Sequence, residues 1–210
     1  MRPALVLMCS PHAGGVSDTL AENFAVGLDN AGCSAACIAL REHPVLPCTG
    51  CGACARPPHA CVLARKDYAE QLFARFAEAP LVVLASPIFF YALPAGFKAW
   101  IDRGQRFWAA FADRHGATTV PDASPNKPVL ALLAAGRPHG EELFSGALRT
   151  LRWFVPLLGG RLVDSRCFRG LDRVEDVEKR PNDLAALRDW GCGWGRQLAA
   201  VQAEAATECP

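Results

Sequence analysis

The chain has 210 residues, 51% of them hydrophobic, and its 22 Lys and Arg against 21 Asp and Glu leave a net charge of +1. That length and apolar content suit one α/β domain with a sizeable core, and the balanced charge gives no electrostatic case for nucleic acid or a membrane surface. The apolar start over residues 1–8 is too short to span a bilayer and runs into a turn, so the chain reads as cytoplasmic. Disulfides are uncommon there, and ten cysteines point instead to metal, cluster or redox chemistry.

Residues 4–9 are apolar without alternation, the pattern of a strand covered on both faces in a parallel sheet. Ser10-Pro11-His12-Ala13-Gly14-Gly15-Val16-Ser17-Asp18-Thr19 follows. Pro11 disfavours helix before it, the Gly pair allows a tight turn, and Ser17 is a suitable N-cap for a helix over 18–30. A strand, a Gly-rich turn and a helix start make an anion site, where free amides and the helix dipole converge and Ser10, Ser17 and Thr19 add hydroxyls. The turn lacks the Walker ending and the G-x-G-x-x-G spacing. Neither ATP nor a Rossmann-bound dinucleotide is favoured, and an ordinary β–α turn is the plain alternative.

Residues 33–40 read as a second strand, with Cys33 and Cys37 as small core residues. Then comes Cys48-Thr49-Gly50-Cys51-Gly52-Ala53-Cys54, with Cys61 after it: four thiols in fourteen residues, C-x2-C-x2-C-x6-C. Small intervening residues let such a loop curl its thiols inward. The spacing suits an iron–sulfur cluster, tetrahedral zinc, or redox-active or structural cysteines. His59 lies between Cys54 and Cys61 as a competing ligand, but four thiols already suffice. Cys167, Cys192 and Cys209 look unrelated to the loop.

A helix over 67–79 and an apolar strand over 81–85 come next, then a turn with Phe89, Phe90 and Tyr91 in a row. Loops at strand C-terminal ends bind ligands in α/β sheets, and these aromatics suit either stacking on a flat ring or capping the core. A helix is predicted over 97–111, a linker-like stretch over 113–127, a strand over 129–134, a ligand-side loop over 135–140 and a long helix over 141–158. A fifth strand over 161–168, a charged loop over 170–181 and a helix over 182–205, weakened by Gly191, Gly193 and Gly195, complete the chain. Alternation of five strands with helices gives one doubly wound sheet, a single domain over 1–210 with a cysteine-rich loop at about 47–62.

Three motifs in order, Ser10-Pro11-His12 to Ser17, the cysteine loop, and Ser86-Pro87-Ile88-Phe89-Phe90 to Lys98-x-x-Ile101-Asp102-Arg103, resemble the flavodoxin-like NAD(P)H-dependent FMN reductase superfamily and, within it, the iron–sulfur flavoproteins. The resemblance implies a three-layer α/β sandwich: a five-stranded parallel sheet of order 2-1-3-4-5, helices on both faces, FMN at its C-terminal edge. By position, Ser10, His12, Ser17, Asp18 and Thr19 would cradle the FMN phosphate. Pro87, Ile88, Phe89 and Phe90 would line the isoalloxazine, with Gly136 and Arg137 at its other edge. Cys48, Cys51, Cys54 and Cys61 would hold a [4Fe–4S] cluster. The family often has Arg where His12 stands and Asn where Val16 stands, which removes a fixed charge from the phosphate site.

The resemblance also implies a flavin-dependent oxidoreductase whose chemistry the flavin carries, with no side chain assigned as catalytic. Its donor would be ferredoxin or NAD(P)H, and its assembly a homodimer or homotetramer. Two other readings stand beside an FMN and iron–sulfur electron-transfer protein. One is a cluster-free NAD(P)H-dependent FMN, quinone or nitro-compound reductase. The other is a non-enzymatic flavodoxin-like module with zinc in the cysteine loop.

Overall fold

The computed structural model describes residues 2–116 and 127–207, the side chains of 202–207 excepted. Five apolar runs form the strands β1 (Ala4–Met8), β2 (Ala35–Ala39), β3 (Val82–Pro87), β4 (Lys127–Ala135) and β5 (Gly160–Arg169). They pair in parallel in the order β2-β1-β3-β4-β5. The helices are α1 (Val16–Asn30), α2 (Ala69–Glu78), α3 (Ala95–Arg103), α4 (Gln105–His115), α5 (Ser145–Leu157), α6 (Val174–Glu178) and α7 (Pro181–Thr207). This is the expected flavodoxin-like three-layer sandwich. The order turns back between β1 and β3, the switch point beside which open α/β sheets bind ligands.

The inner strands carry the longest apolar runs because both of their faces are covered. One face packs under α1, α6 and α7, through Val6, Val83, Leu130, Phe24 and Trp190. The other packs under α2 to α5, through Leu7, Leu84, Phe73, Trp100 and Phe154. Edge strands β2 and β5 are partly exposed.

Four features differ from expectation. Helix α1 begins at Val16, which is buried, with Gly15 at its cap; Ser17 therefore lies inside the first turn and caps nothing. The helix expected over 97–111 divides at Gly104, where a Cβ would stand 2.8 Å from the Phe154 ring and 2.8 Å from the Ile101 carbonyl. The helix expected from residue 141 starts at Ser145, because Glu142 takes a left-handed φ of 47°. The charged loop contains α6. Of the linker-like stretch, α4 covers the start through His115, and residues 117–126 lie outside those described.

Two of the three glycines of α7, Gly191 and Gly195, let the helix lie close against α1 and its C-terminal end, whereas a Cβ on Gly193 would meet nothing. A Cβ on Gly191 would stand 2.2 Å from the Phe24 carbonyl, and one on Gly27 of α1 would stand 2.1 Å from the Arg188 carbonyl. The two helices touch backbone to backbone, and the proximity outweighs glycine's poor helix propensity.

Candidate functional site

The loop after β1 is tied down from within. Ser10 is buried, and its hydroxyl accepts the His12 amide and donates to the His12 carbonyl, both at 3.1 Å. His12 itself is exposed. Asp18 is 1% exposed, and its Oδ2 accepts the Gly14 amide at 3.0 Å and Arg41 Nη1 at 3.0 Å. Arg41 also reaches the Ser10 carbonyl at 3.5 Å. The Thr19 hydroxyl donates to the Gly15 carbonyl at 3.2 Å. Ser17 Oγ is buried with no hydrogen-bond partner, and so is Asp18 Oδ1. An unpaired buried hydroxyl at a helix N-terminus is uncommon, and here it stands beside an anion-binding type of turn. A carboxylate only accepts, so Asp18 bears on an anion through the loop it braces. A cavity of about 230 Å³ opens beside this loop, lined by Cys9, Ser10, Pro11, Arg41, Pro44 and Pro94 among others. Burial, then the nearby Asp18 charge, pushes the Cys9 thiol well up.

The loop after β3 is held in a tight reversal. Phe89 and Ala92 exchange both backbone hydrogen bonds, at 3.0 and 2.9 Å. Between them Phe90 and Tyr91 adopt left-handed φ of 49° and 63°, which β-carbon sterics disfavour. Phe90 is fully exposed at the tip, and Phe89 and Tyr91 are also exposed. Pro87 ends β3, and the Ile88 amide donates to the Ala134 carbonyl at 2.8 Å. The loop after β4 lies alongside: the Arg137 guanidinium stands 5.9 Å from the Tyr91 ring centre. Gly136 lies against the Asp172 side chain, whose Oδ1 would stand 2.5 Å from a Cβ there. Thus the switch-point edge gathers Ser10 and His12 in the loop after β1 and Ser17, Asp18 and Thr19 in the first turn of α1. It brings the Pro87–Phe90 turn and the Gly136–Arg137 turn together beside each other.

The four loop thiols line a second cavity of about 490 Å³, between the cysteine loop and α4. Gly50 and Gly52 take φ of 65° and 71°, the left-handed turns that curl the loop. Cys48 and Cys51 are exposed, and Cys54 and Cys61 are half-buried. Burial, then repulsion from Cys61, Cys48 and Cys51, pushes the Cys54 thiol up against a backbone hydrogen bond that lowers it. Among the described residues, no three His, Cys, Asp or Glu side chains stand close enough to hold one metal ion. His59 turns away from the thiols: its Nδ1 pairs with the Cys54 carbonyl at 3.0 Å, and its Nε2 lies 3.5 Å from Asp113.

Arg103 lines the same cavity at 2% exposure. It bonds Asp67, and the Leu46 carbonyl at 3.2 Å. Asp67 also accepts the amides of Leu46 at 2.9 Å and Ala69 at 3.0 Å. Burial opposes the Asp67 charge, but those amides and Arg103 outweigh it and hold its pKa below the usual carboxylate range. Burial likewise opposes the Arg103 charge, yet Asp67 and Cys61 raise its pKa. Arg106 Nε also faces the cavity region without a partner.

A model of the NADPH-dependent FMN reductase family matches residues 3–161. The chain belongs to that family. Among curated relatives, it is 33% identical over 124 residues to an FMN-dependent NADH:quinone oxidoreductase of Opitutus terrae, covering 56% of this chain and 57% of that protein. It is 27% identical over 129 residues to an iron–sulfur flavoprotein of Archaeoglobus fulgidus, covering 60% and 56%. The chain thus spans about half the length of these relatives. In fold it resembles an azoreductase of Bacillus anthracis, with a TM-score of 0.63 and 15% identity over 94% of this chain and all of that one. No helix among the described residues is long and apolar enough to cross a membrane.

Arg41, Asp67 and Arg103 escaped the sequence reading of this family member as working residues. Arg41 carried one signal, a cation directly after an apolar strand. The Asp67–Arg103 pair joins residues 36 apart in the chain, and nothing local announces it.

Proposed function

We propose that the chain is an FMN-dependent NAD(P)H oxidoreductase that also holds a [4Fe–4S] cluster on Cys48, Cys51, Cys54 and Cys61. The observation that carries the flavin is the buried, unpartnered Ser17 hydroxyl at the start of α1, under a Gly-rich loop at the sheet's switch point. The Ser17 hydroxyl and the free amides of the first turn bind the phosphate, and Ser10 and Thr19, whose hydroxyls donate to the His12 and Gly15 carbonyls, shape the cradle around it. Asp18 and Arg41 hold the loop in shape, with His12 exposed at its turn. Pro87, Ile88, Phe89 and Phe90 line the ring, with Gly136 and Arg137 at its other edge. Bound FMN supplies hydride acceptance and the release of electrons in pairs or singly.

The cluster reading is supported by four thiols around one cavity with buried guanidinium donors beside them. A cluster supplies one-electron transfer, and the loop residues set its contact with solvent. NAD(P)H is read as the donor, with a ferredoxin as the alternative, and the chain as a homodimer or homotetramer.

A second reading, the cluster-free quinone or flavin reductase, is favoured by the absence of close metal ligands among the described residues and by the Opitutus terrae relative. Anaerobic mixing of FMN-loaded protein with NADPH or NADH, followed by a quinone, tests the shared core of both readings. Flavin absorbance is expected to bleach and then return. A flavin that neither nucleotide bleaches would overturn nicotinamide-linked activity.

A further inference from the structure

Arg103 is a buried cation with more donors than partners. Its Nη1 serves both Asp67 and the Leu46 carbonyl. Its Nε and Nη2 are buried and reach no oxygen acceptor, the Cys61 thiol being the group besides Asp67 that acts on the guanidinium. Leaving two charged donors unpaired is costly enough that such groups usually have a partner. The cavity this side chain lines is also lined by Cys48, Cys51, Cys54 and Cys61. Its position is anchored rather than adaptable, because Asp67 is itself pinned by the amides of Leu46 and Ala69. Leu46 lies two residues before Cys48, so one clamp fixes both the cation and the start of the loop.

We propose that Arg103 is a potential-setting residue, directing Nε–H and Nη2–H at the sulfur atoms of a cluster in this loop. The inference rests on the cluster reading above. A cluster gains negative charge on reduction, and hydrogen bonds to its sulfurs stabilise that charge. Arg103 therefore raises the reduction potential. Asp67 acts through Arg103 as a positioning residue.

The test is an anaerobic redox titration, followed in the visible spectrum, of the wild-type protein and Arg103→Lys. Lysine keeps a cation opposite Asp67 but lacks Nε and the guanidinium fork. The expected result is unchanged iron and sulfide content and a reduction equilibrium shifted at least tenfold toward the oxidised form. For one electron that is a midpoint about 59 mV lower. The flavin midpoint stays where it was. Should Arg103→Lys fail to fold, the double variant Asp67→Asn/Arg103→Met strands no buried charge and carries the same expectation. An iron-loaded variant with the wild-type midpoint would overturn the role of Arg103 alone. Loss of iron from a folded variant would overturn it too, by assigning Arg103 to assembly. Wild-type protein that holds flavin but no iron would overturn the cluster reading and this inference with it.

Discussion

The loop after β1 and the cysteine loop are built on opposite plans. The first is closed from within: Asp18 takes the Gly14 amide and Arg41, Ser10 pairs with His12 and Thr19 with the Gly15 carbonyl, while the Ser17 hydroxyl keeps no partner. The second is open: its thiols bond little, and the donors beside them are unpaired. A loop that binds one anion through amides must hold its own shape first. A loop that binds through covalent thiolate ligation can be completed by what it binds.

The largest effect should come from the open loop. Cys51→Ala is expected to remove essentially all iron, from about four per chain, while flavin content is unchanged. Parallel loss of flavin would show the two sites are not independent. In the closed loop, Arg41→Met leaves Asp18 as an unpaired buried carboxylate. Breaking such a pair costs about 3 kcal/mol, so urea melts should fall by that order and flavin affinity with them. If stability is unchanged, the brace is not structural.

Ser17→Ala separates binding from folding. The hydroxyl has no partner in the protein, so melting should hold or rise slightly. FMN should bind about tenfold more weakly, roughly 1.4 kcal/mol, the worth of one hydrogen bond to a charged group. Equal affinity by fluorescence titration would remove Ser17 from the phosphate site.

Near neutral pH the smallest effect is that of proton linkage at Asp67. Its folded pKa is depressed, burial being outweighed by amides and Arg103. Its contribution is therefore fully present above the unfolded value of about 3.9 and is lost as pH falls through the folded value. The double variant Asp67→Asn/Arg103→Met should show a flatter loss of stability below about pH 4 than wild type. Superimposable acid limbs would contradict that.

What the sequence reveals and conceals follows from how far apart the interacting residues lie. Apolar runs without alternation mark β1, β3 and β4 because both faces of an inner strand are buried. The Gly-rich turn and the C-x2-C-x2-C-x6-C spacing are local and equally readable. The break at Gly104 is not, since the ring that forces it belongs to Phe154, fifty residues on. Nor are Gly191 and Gly195 of α7, which look like poor helix formers until α1 and its C-terminal end are set against them. The same holds at the sites: Asp18 is visible in its motif, but its partner Arg41 comes from beyond β2, and the guanidinium beside the thiols comes from the end of α3.

The central claim is that one chain carries two cofactors, a flavin in the closed loop and a cluster in the open one. The most direct test is the anaerobic visible spectrum with flavin, iron, sulfide and zinc assayed on the same sample. The account predicts about one FMN, four iron and four sulfide per chain, with flavin bands over a broad iron–sulfur shoulder. Flavin without iron would leave a simple reductase, and zinc without flavin would contradict the account at both loops.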